Sequence, residues 1–295
     1  MPPSAFVLAA GLGTRLRPLT DELPKPLMPV GDRPALQHAL DAIVRAGVER
    51  MAINTHHLAV ELAWFARTQP RALELIHEPE ILGTAGGLAN AALVLGPGPV
   101  LVWNADMLAP DLDVAEVLAA HAERRALATW VVAPRELGKG TVGLDESGAI
   151  VRLRGRSFGA EARGGDFLGV QVVGEELRHR LPREGCLVGD VALPALAAGG
   201  RIATVEHEGV WHDIGDARSL IAANVAWLIR RGLASWVSPD AYVAPGVELE
   251  SSVISAGARV EGEGSVVRVL ALPGSTVQAP AFAAVVGRRS RANVG

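Results

Sequence analysis

The segment from Leu8 to Val30 has the sequence LAAGLGTRLRPLTDELPKPLMPV, and it decides the fold. It overlaps a short apolar run, AFVLAA at residues 5–10, which predicts a strand buried on both faces. That strand ends in the turn Gly11-Leu12-Gly13. Glycines lack a Cβ, so the backbone can approach a phosphate chain and offer N–H groups to its oxygens. The segment therefore predicts a loop that binds a phosphorylated ligand at the end of a strand.

Two basic residues follow this turn. Arg15 lies on the same loop, where a guanidinium can bind phosphate bidentately and stabilise charge on a leaving pyrophosphate. Lys25 lies between Pro24 and Pro26, which restrict the backbone around it. The dinucleotide-binding fingerprint and the Gly-Lys-Ser/Thr of a P-loop are both absent from the sequence. The alternative is a turn followed by a solvated basic loop, but the combination favours a triphosphate site.

The segment resembles the signature of the nucleotide-diphospho-sugar pyrophosphorylases, G-x-G-T/S-R-L-x-P-L-T…P-K-P, and the resemblance extends from Ala5 to about Gly232. It implies an α/β nucleotidyltransferase and an ordered, Mg²⁺-dependent reaction. A phosphate oxygen of a sugar 1-phosphate attacks the α-phosphorus of a nucleoside triphosphate, and pyrophosphate leaves. The resemblance gives Arg15 and Lys25 catalytic roles. The nucleotide-binding residues that it implies on the strand and turn are Leu8, Ala10, Gly11, Gly13 and Thr14.

Strands and helices alternate along the first three quarters of the chain. Apolar patterning predicts strands at 5–10, 51–54, 73–77, 100–104, 126–133 and 167–173, and a hairpin over 142–153. Helices are predicted at 34–46, 60–67, 86–95, 114–125 and 216–231. Such alternation indicates βαβ units and a mainly parallel sheet with right-handed crossovers. With the resemblance, it predicts a Rossmann-like, three-layer nucleotidyltransferase domain over residues 1–233.

The remaining segment, 236–295, changes to a six-residue apolar period. The positions that share it, with one slip after the third, are Val237, Val243, Leu249, Ile254, Val260, Val266 and Leu272. This period is typical of short rungs stacked in a left-handed parallel β-helix, although irregular strands could share the spacing. About two coils need capping or a partner, so a homo-oligomer formed through this tail is one expectation. The segment contains no histidine, which argues against a β-helical acyltransferase.

Two carboxylates are candidate magnesium ligands. Asp106 ends the segment VWNAD at 102–106, which resembles the family's N-x-D element. The alternative for Asp106 is a helix cap or turn. Asp213 lies in WHDIGD, which resembles the family's W-x-D-I-G-T-P motif, although Asp216 and Ala217 stand where Thr-Pro is usual. Asp216 can still cap the next helix. The resemblance implies that Asp106 and Asp213 bind Mg²⁺, a hard cation that prefers oxygen ligands.

A further loop resembles the family's E-x-L-G-T-A-G element, which contacts the base. It has the sequence EPEILGTAGG at 78–87. Glu80 could accept hydrogen bonds from guanine N1–H and N2–H₂, whereas uracil or thymine offers one N–H, so GTP is favoured. A solvated Glu80 is the alternative. The nucleotide-binding residues predicted in this loop are Glu80, Gly83 and Thr84, and Asn104, the last residue of the strand at 100–104, is a further one.

The sugar side departs from the family pattern. The usual Glu-Lys-Pro is absent, and RLRGR occupies residues 152–156, so Arg154 is a candidate substitute for the lysine that holds the sugar phosphate. A subgroup, the N-acetylmuramic acid 1-phosphate uridylyltransferases, lacks that lysine, and FLGV at 167–170 resembles its central strand. Gly169 and Asp190 complete the predicted sugar-phosphate set.

Composition limits the other functional classes. The net charge of −4 and the 4% aromatic content argue against nucleic-acid binding. The single cysteine, Cys186, excludes an intramolecular disulfide; a small core residue is expected there, with a nucleophile as the alternative. The sequence has no signal peptide and no apolar run of about 20 residues, so a cytoplasmic protein that avoids membranes is expected.

The leading hypothesis is transfer from GTP to mannose 1-phosphate. UTP- or dTTP-dependent transfer to a related sugar 1-phosphate, and a non-catalytic regulatory relative, are the alternatives. The presence of Arg15, Lys25, Asp106 and Asp213 argues against the regulatory relative.

Overall fold

The predicted first strand is present in the computed structural model, which describes residues 3–294 and places this strand at Ser4–Leu8. Packing divides the chain into two units. The first comprises the chain up to Gly11 and Ala39–Trp211, and the second comprises Leu12–His38 and the chain from His212 onward. The division into domains at 1–233 and 236–295 stays a prediction, because the boundaries of the two packing units fall at other residues.

A ten-stranded sheet forms the framework of the first unit. In chain order its strands are β1 (Ser4–Leu8), β2 (Arg50–Thr55), β3 (Leu73–His77), β4 (Val100–Asn104), β5 (Ala128–Arg135), β6 (Val142–Leu144), β7 (Ile150–Leu153), β8 (Arg156–Ser157), β9 (Arg163–Val173) and β10 (Ile202–Glu206). The order across the sheet is β8-β7-β6-β9-β4-β1-β2-β3, and β5 pairs with both β9 and β10. The central strands β3, β2, β1 and β4 are parallel, and β9 is antiparallel to β4, β5 and β6. The predicted α/β class with a mainly parallel central sheet is confirmed.

The core of this unit forms where apolar strands meet. Phe6 pairs with Ala52 on one side and Val102 on the other, and all three are 0% exposed. Parallel strands covered on both faces need such continuous apolar sequences. The predicted hairpin over 142–153 is confirmed as the antiparallel pair β6 and β7.

The structure contains helices at the five predicted places and two short ones, α6 and α7, that were not predicted. The helices are α1 (Ala35–Arg45), α2 (Ala59–Arg67), α3 (Gly83–Asn90), α4 (Ala92–Leu95), α5 (Val114–Arg124), α6 (Glu175–Arg178), α7 (Leu193–Ala197) and α8 (Ala217–Arg231). The predicted single helix over 86–95 is wrong, because α3 begins at Gly83 and ends before α4. Three glycines in α3 obscure its start, while the Ala85 N–H donates to the Gly185 carbonyl at 2.8 Å and holds the first turn. No helix within residues 3–294 is long and apolar enough to cross a membrane.

Stacked parallel strands dominate the C-terminal part of the second unit. They are Trp236–Val237, Tyr242–Val243, Val247–Glu250, Val253–Ile254, Arg259–Ala271 and Thr276–Val286. Strand Arg291–Asn293 then pairs antiparallel with the last of them.

The register of these strands explains the slip in the six-residue period. Val237 pairs with Ile254, an offset of 17 residues, and Val243 with Val260 has the same offset. One coil therefore consists of two steps of six residues and one of five. The next coil repeats the slip, since Ile254 pairs with Ala271. The expectation that Leu272 occupies the next stacked position is wrong, because Ala271 occupies it. The handedness of the coil, and hence the left-handed β-helix, stays a prediction.

Helix α8 belongs to the second unit and packs on the long strands Arg259–Ala271 and Thr276–Val286. The side chain of Asp216 accepts from the Ser219 N–H in a capping box, which confirms that aspartate can replace the usual Thr-Pro as the cap. Gly232 ends the helix with a φ of 65°.

Candidate active site

The carboxyl ends of two central strands lie side by side in the first unit. Leu8, the last residue of β1, pairs with Asn104, the last residue of β4. The Ala105 N–H donates to the Leu8 carbonyl at 3.1 Å. Two predicted nucleotide-binding positions are therefore neighbours, and the half-buried Asp106 follows them. This edge of an open α/β sheet is where ligands usually bind.

A buried polar chain connects the start of the glycine turn to the predicted base loop. Asn54 Oδ1 accepts from the Ala9 N–H at 2.6 Å and from the Ala10 N–H at 3.2 Å. Asn54 Nδ2 donates to Glu78 Oε1 at 2.8 Å, and the Leu82 N–H donates to Glu78 Oε2 at 3.1 Å. Glu78 is 0% exposed and Asn54 is 3% exposed. Because buried polar groups need partners, this network fixes the two loops against each other.

The base loop is also held by the segment that precedes α7. The Leu187 N–H donates to Thr84 Oγ1 at 2.7 Å. Gly83 has a φ of 73°, and a Cβ there would overlap the Gly185 carbonyl. Glu80, in contrast, is exposed. The loop therefore directs Glu78 inward and leaves Glu80 accessible.

Gly169 brings the predicted sugar side next to the predicted nucleotide side. It has a φ of 66°, and a Cβ there would lie 2.7 Å from Asn104 Nδ2. The register between β9 and β5 shifts between Phe167 and Gln171, so the strand is irregular at this point. A bulge beside a strand end is a common way to re-aim backbone at a site.

Arg154 and Asp190 meet at Cys186. The Asp190 carboxylate accepts from the Cys186 N–H at 2.7 Å, and Arg154 Nη2 lies 3.6 Å from Cys186 Sγ. Burial raises the pKa of the Cys186 thiol, but nearby backbone N–H groups, Thr84 and Arg154 outweigh burial and lower the pKa overall. The expected small core residue is instead half-buried among polar groups.

The rest of the signature lies in the second unit, where it folds back on Gly13. Gly13 has a φ of 61°, and its carbonyl accepts from Thr20 Oγ1 at 3.0 Å. A Cβ at Gly13 would lie 2.8 Å from Thr20 Cγ2 and 3.3 Å from Lys25 Cβ. Thr14 is exposed, whereas Lys25 is half-buried. The structure therefore brings Lys25 against Gly13 of the glycine turn, which lies twelve residues before it in the sequence.

Arg15 and Asp213 come together in the same unit from distant parts of the sequence. Arg15 Nη2 lies 3.7 Å from Asp213 Oδ2, and the two side chains are 63% and 44% exposed. A Cβ at Gly215 would overlap the Arg15 guanidinium, so the glycine of this motif makes room for the arginine. A solvated ion pair of this length adds little stability. Its importance is that a predicted phosphate-binding cation and a predicted magnesium ligand are adjacent.

Asp213 fits the role of a magnesium ligand. Its Oδ1 atom is buried and has no hydrogen-bond partner among residues 3–294. Hard cations prefer such carboxylate oxygens. No group of three or more His, Cys, Asp or Glu residues suited to a metal occurs in that part of the chain.

Residues 4–228 match the family model described as nucleotidyl transferase. The chain belongs to this family. N-acetylmuramate alpha-1-phosphate uridylyltransferase from Caulobacter vibrioides is 35% identical over 236 residues, which cover 75% of this chain and 96% of that protein. Mannose-1-phosphate guanylyltransferase from Mycobacterium tuberculosis is 31% identical over 299 residues, covering 87% and 81%.

A solved structure supports the fold of this nucleotidyl transferase. HddC from Yersinia pseudotuberculosis, complexed with GMP-PN, matches with a TM-score of 0.64 at 19% identity and covers 76% of this chain and 99% of that chain. The predicted family is confirmed: the protein is an enzyme of the sugar-1-phosphate nucleotidyltransferase kind. Enzymes of this family generally use divalent metal ions such as Mg²⁺.

Two residues of this nucleotidyl transferase escaped the sequence analysis. Asn54 and Glu78 hold the predicted nucleotide-binding loops without being part of the predicted set. The sequence did contain a signal for Asn54. It lies near the carboxyl end of β2, just as Asn104 lies at the end of β4, and the ends of parallel strands meet at one edge of the sheet. No comparable signal distinguished Glu78 from Glu80.

Proposed function

We propose that this nucleotidyl transferase catalyses guanylyl transfer from GTP to mannose 1-phosphate, producing GDP-mannose and pyrophosphate. The observation that carries the choice of base is the accessible Glu80. Glu78 is committed to Asn54 and Leu82, so Glu80 is the carboxylate of this loop that is available to a ligand. One carboxylate can accept both from guanine N1–H and from guanine N2–H₂.

The phosphates are assigned to the basic residues of the signature. A phosphate oxygen of the sugar 1-phosphate forms a bond to the α-phosphorus, while the bond from the α-phosphorus to the bridging oxygen breaks. The electron pair of that bond leaves with pyrophosphate. The attacking oxygen is already anionic, so no general base is needed. Arg15 and Lys25 stabilise the charge that develops on the leaving group, and positioning accounts for most of the remaining rate.

Asp213, with Asp106 as the second proposed ligand, would hold Mg²⁺. When bound, the ion neutralises phosphate charge and orients the reacting groups. The buried, unpartnered Oδ1 of Asp213 supports this assignment.

The sugar phosphate is assigned to Arg154, Asp190 and Gly169. Arg154 lies at the tip of the β7–β8 hairpin with a φ of 49°, and both it and Asp190 are exposed near Cys186. Arg154 would supply the cation that the missing lysine provides elsewhere in the family. Gly169 lets its strand pass close to Asn104, since a Cβ there would lie 2.7 Å from Asn104 Nδ2, and so brings the proposed sugar side next to a proposed nucleotide-binding residue.

Pyrophosphate release tests the proposed pair. GTP, UTP, dTTP, CTP and ATP are each combined with mannose, glucose and N-acetylmuramate 1-phosphates, with Mg²⁺ or with EDTA. We expect the highest kcat/KM for GTP with mannose 1-phosphate and no release in EDTA. Glu80→Gln should raise the KM for GTP about tenfold, as expected for a charge-assisted hydrogen bond, and leave the KM for UTP unchanged. Glu74→Gln, which changes an exposed glutamate on β3, is the matched control.

A second candidate is uridylyl transfer to N-acetylmuramate 1-phosphate. The 35% identity to the Caulobacter uridylyltransferase, over nearly all of that protein, favours it, as does the absence of the Glu-Lys-Pro lysine. A higher kcat/KM with UTP and N-acetylmuramate 1-phosphate, unaffected by Glu80→Gln, would replace the guanylyl proposal with this one.

A further inference from the structure

A tight turn near the C-terminus binds a carboxylate of the signature segment, and both lie in the second unit. The Arg288 N–H donates to Glu22 Oε2 at 2.8 Å. The Arg289 N–H donates to Glu22 Oε1 at 3.1 Å and to Oε2 at 3.2 Å. The turn is closed by the Gly287 N–H, which donates to the Ser290 carbonyl at 2.7 Å. We call residues Gly287–Ser290 the C-terminal turn.

The C-terminal turn has the features of an anion receptor. Successive backbone N–H groups that point to one place form a concavity that binds anions. A Cβ at Gly287 would lie 3.2 Å from each Glu22 carboxylate oxygen and 2.6 Å from Ser290 Oγ, so a larger residue there would crowd the carboxylate. Burial raises the pKa of Glu22, but Ser290 and the N–H groups of Arg289 and Arg288 outweigh it and lower the pKa overall. Glu22 is therefore ionised at neutral pH and held in place.

The position of Glu22 makes this contact relevant to the phosphate-binding residues. Glu22 lies between Arg15 and Lys25 in the sequence, three residues before the lysine. The segment is fixed a second time beyond the lysine: Asn224 of α8 donates to the Pro29 carbonyl at 3.0 Å and accepts from the Gly31 N–H at 2.8 Å.

These two attachments lie on either side of Lys25 in the sequence. Without the attachment at Glu22, the stretch from Arg15 to Lys25 would lose one of its fixed points, and the lysine would sample more conformations. Ordering a loop at the moment of binding reduces affinity and rate, whereas a loop held in advance avoids that cost.

We propose that the C-terminal turn positions the phosphate-binding loop, and that Glu22 is the positioning residue through which it acts. This inference rests on the proposed function, in which Lys25 stabilises the leaving pyrophosphate. It gives the C-terminal tail a role in the reaction of its own chain, in addition to any structural role.

The test uses the full-length chain with Glu22→Gln and, as a matched control, Asp21→Asn. Asp21 is the preceding residue and forms an exposed ion pair with Arg17 at 3.3 Å. The measurements are kcat and KM for both substrates, and amide hydrogen exchange of residues 19–28. For Glu22→Gln we expect about a tenfold loss of kcat/KM for the nucleotide, an unchanged KM for the sugar 1-phosphate and about tenfold faster exchange over 19–28. Asp21→Asn should change each quantity less than twofold.

Gly287→Ala crowds the same contact from the other side, because the added Cβ would lie 2.6 Å from Ser290 Oγ and 3.2 Å from each carboxylate oxygen of Glu22. It should change the kinetics and the exchange in the same direction as Glu22→Gln, by a smaller factor. Normal exchange over 19–28 in both variants, or faster exchange with an unchanged kcat/KM, would overturn the proposal. Wild-type protein that releases no pyrophosphate with any substrate pair refutes the proposed function, whereas the exchange measurement still decides whether the turn holds the loop.

Discussion

Replacing Asn54 with alanine should destabilise the first unit more than any surface substitution, because Asn54 serves three buried partners. Asn54→Ala leaves the N–H groups of Ala9 and Ala10 without their acceptor and Glu78 Oε1 without its donor. Each neutral hydrogen bond contributes about 1 kcal/mol and a bond to a charged group about 2 kcal/mol, so the expected loss is about 4 kcal/mol. That is a large part of the stability of a typical domain.

Urea unfolding followed by circular dichroism measures this loss, and hydrogen exchange of the β1 and β2 amides assigns it to the first unit. Asn90→Ala, at the exposed end of α3, is the matched control and should stay within about 0.5 kcal/mol. A double-mutant cycle with Glu78→Gln should show coupling of about 1 kcal/mol or more. A loss below about 1 kcal/mol for Asn54→Ala, or effects of Asn54 and Glu78 that simply add, would refute the reasoning.

Two further predictions concern the second unit. Asp216→Ala should cost about 1 kcal/mol of stability in urea, because it removes the N-cap of α8. The Ser219 N–H lowers the pKa of Asp216, so the cap is fully stabilising above the unfolded pKa. The difference from wild type should begin to shrink as the pH falls below about 4 and be lost as the pH falls through the lower folded pKa. Asp213→Asn should raise the Mg²⁺ concentration for half-maximal pyrophosphate release at least tenfold in a Mg²⁺ titration; an unchanged requirement would remove Asp213 from the proposed ligand set.

The sequence predicted local structure well where one periodicity holds over a whole element. The alternation of β1 with α1 and β2 followed from apolar patterns alone, and the caps of α8 followed from Asp216 and Gly232. It predicted less where packing between distant residues decides the conformation. The start of α3 depends on a bond to Gly185, about a hundred residues later, and no local pattern around Gly83 shows that bond.

The same distinction applies to the candidate site. Strand-end residues such as Asn104 could be predicted, because parallel strands bring their carboxyl ends to one edge. Whether Glu78 or Glu80 is buried could not, because the answer depends on an amide contributed by Asn54 on another strand. The contact between Arg15 and Asp213 joins two motifs that are far apart in sequence, and only the resemblance to a family indicated that they act together.

The C-terminal tail can act on its own chain or through a second copy, and the two possibilities differ in their dependence on protein concentration. The contact from Glu22 to the C-terminal turn is formed within one chain, so its effect on turnover does not change on dilution. Self-association through the stacked strands is governed by mass action and weakens on dilution. If specific activity stays constant over a thousandfold dilution while Glu22→Gln still lowers kcat/KM, the tail acts within its own chain. If activity falls on dilution and the wild type and Glu22→Gln become equal, assembly and not the turn supports the loop.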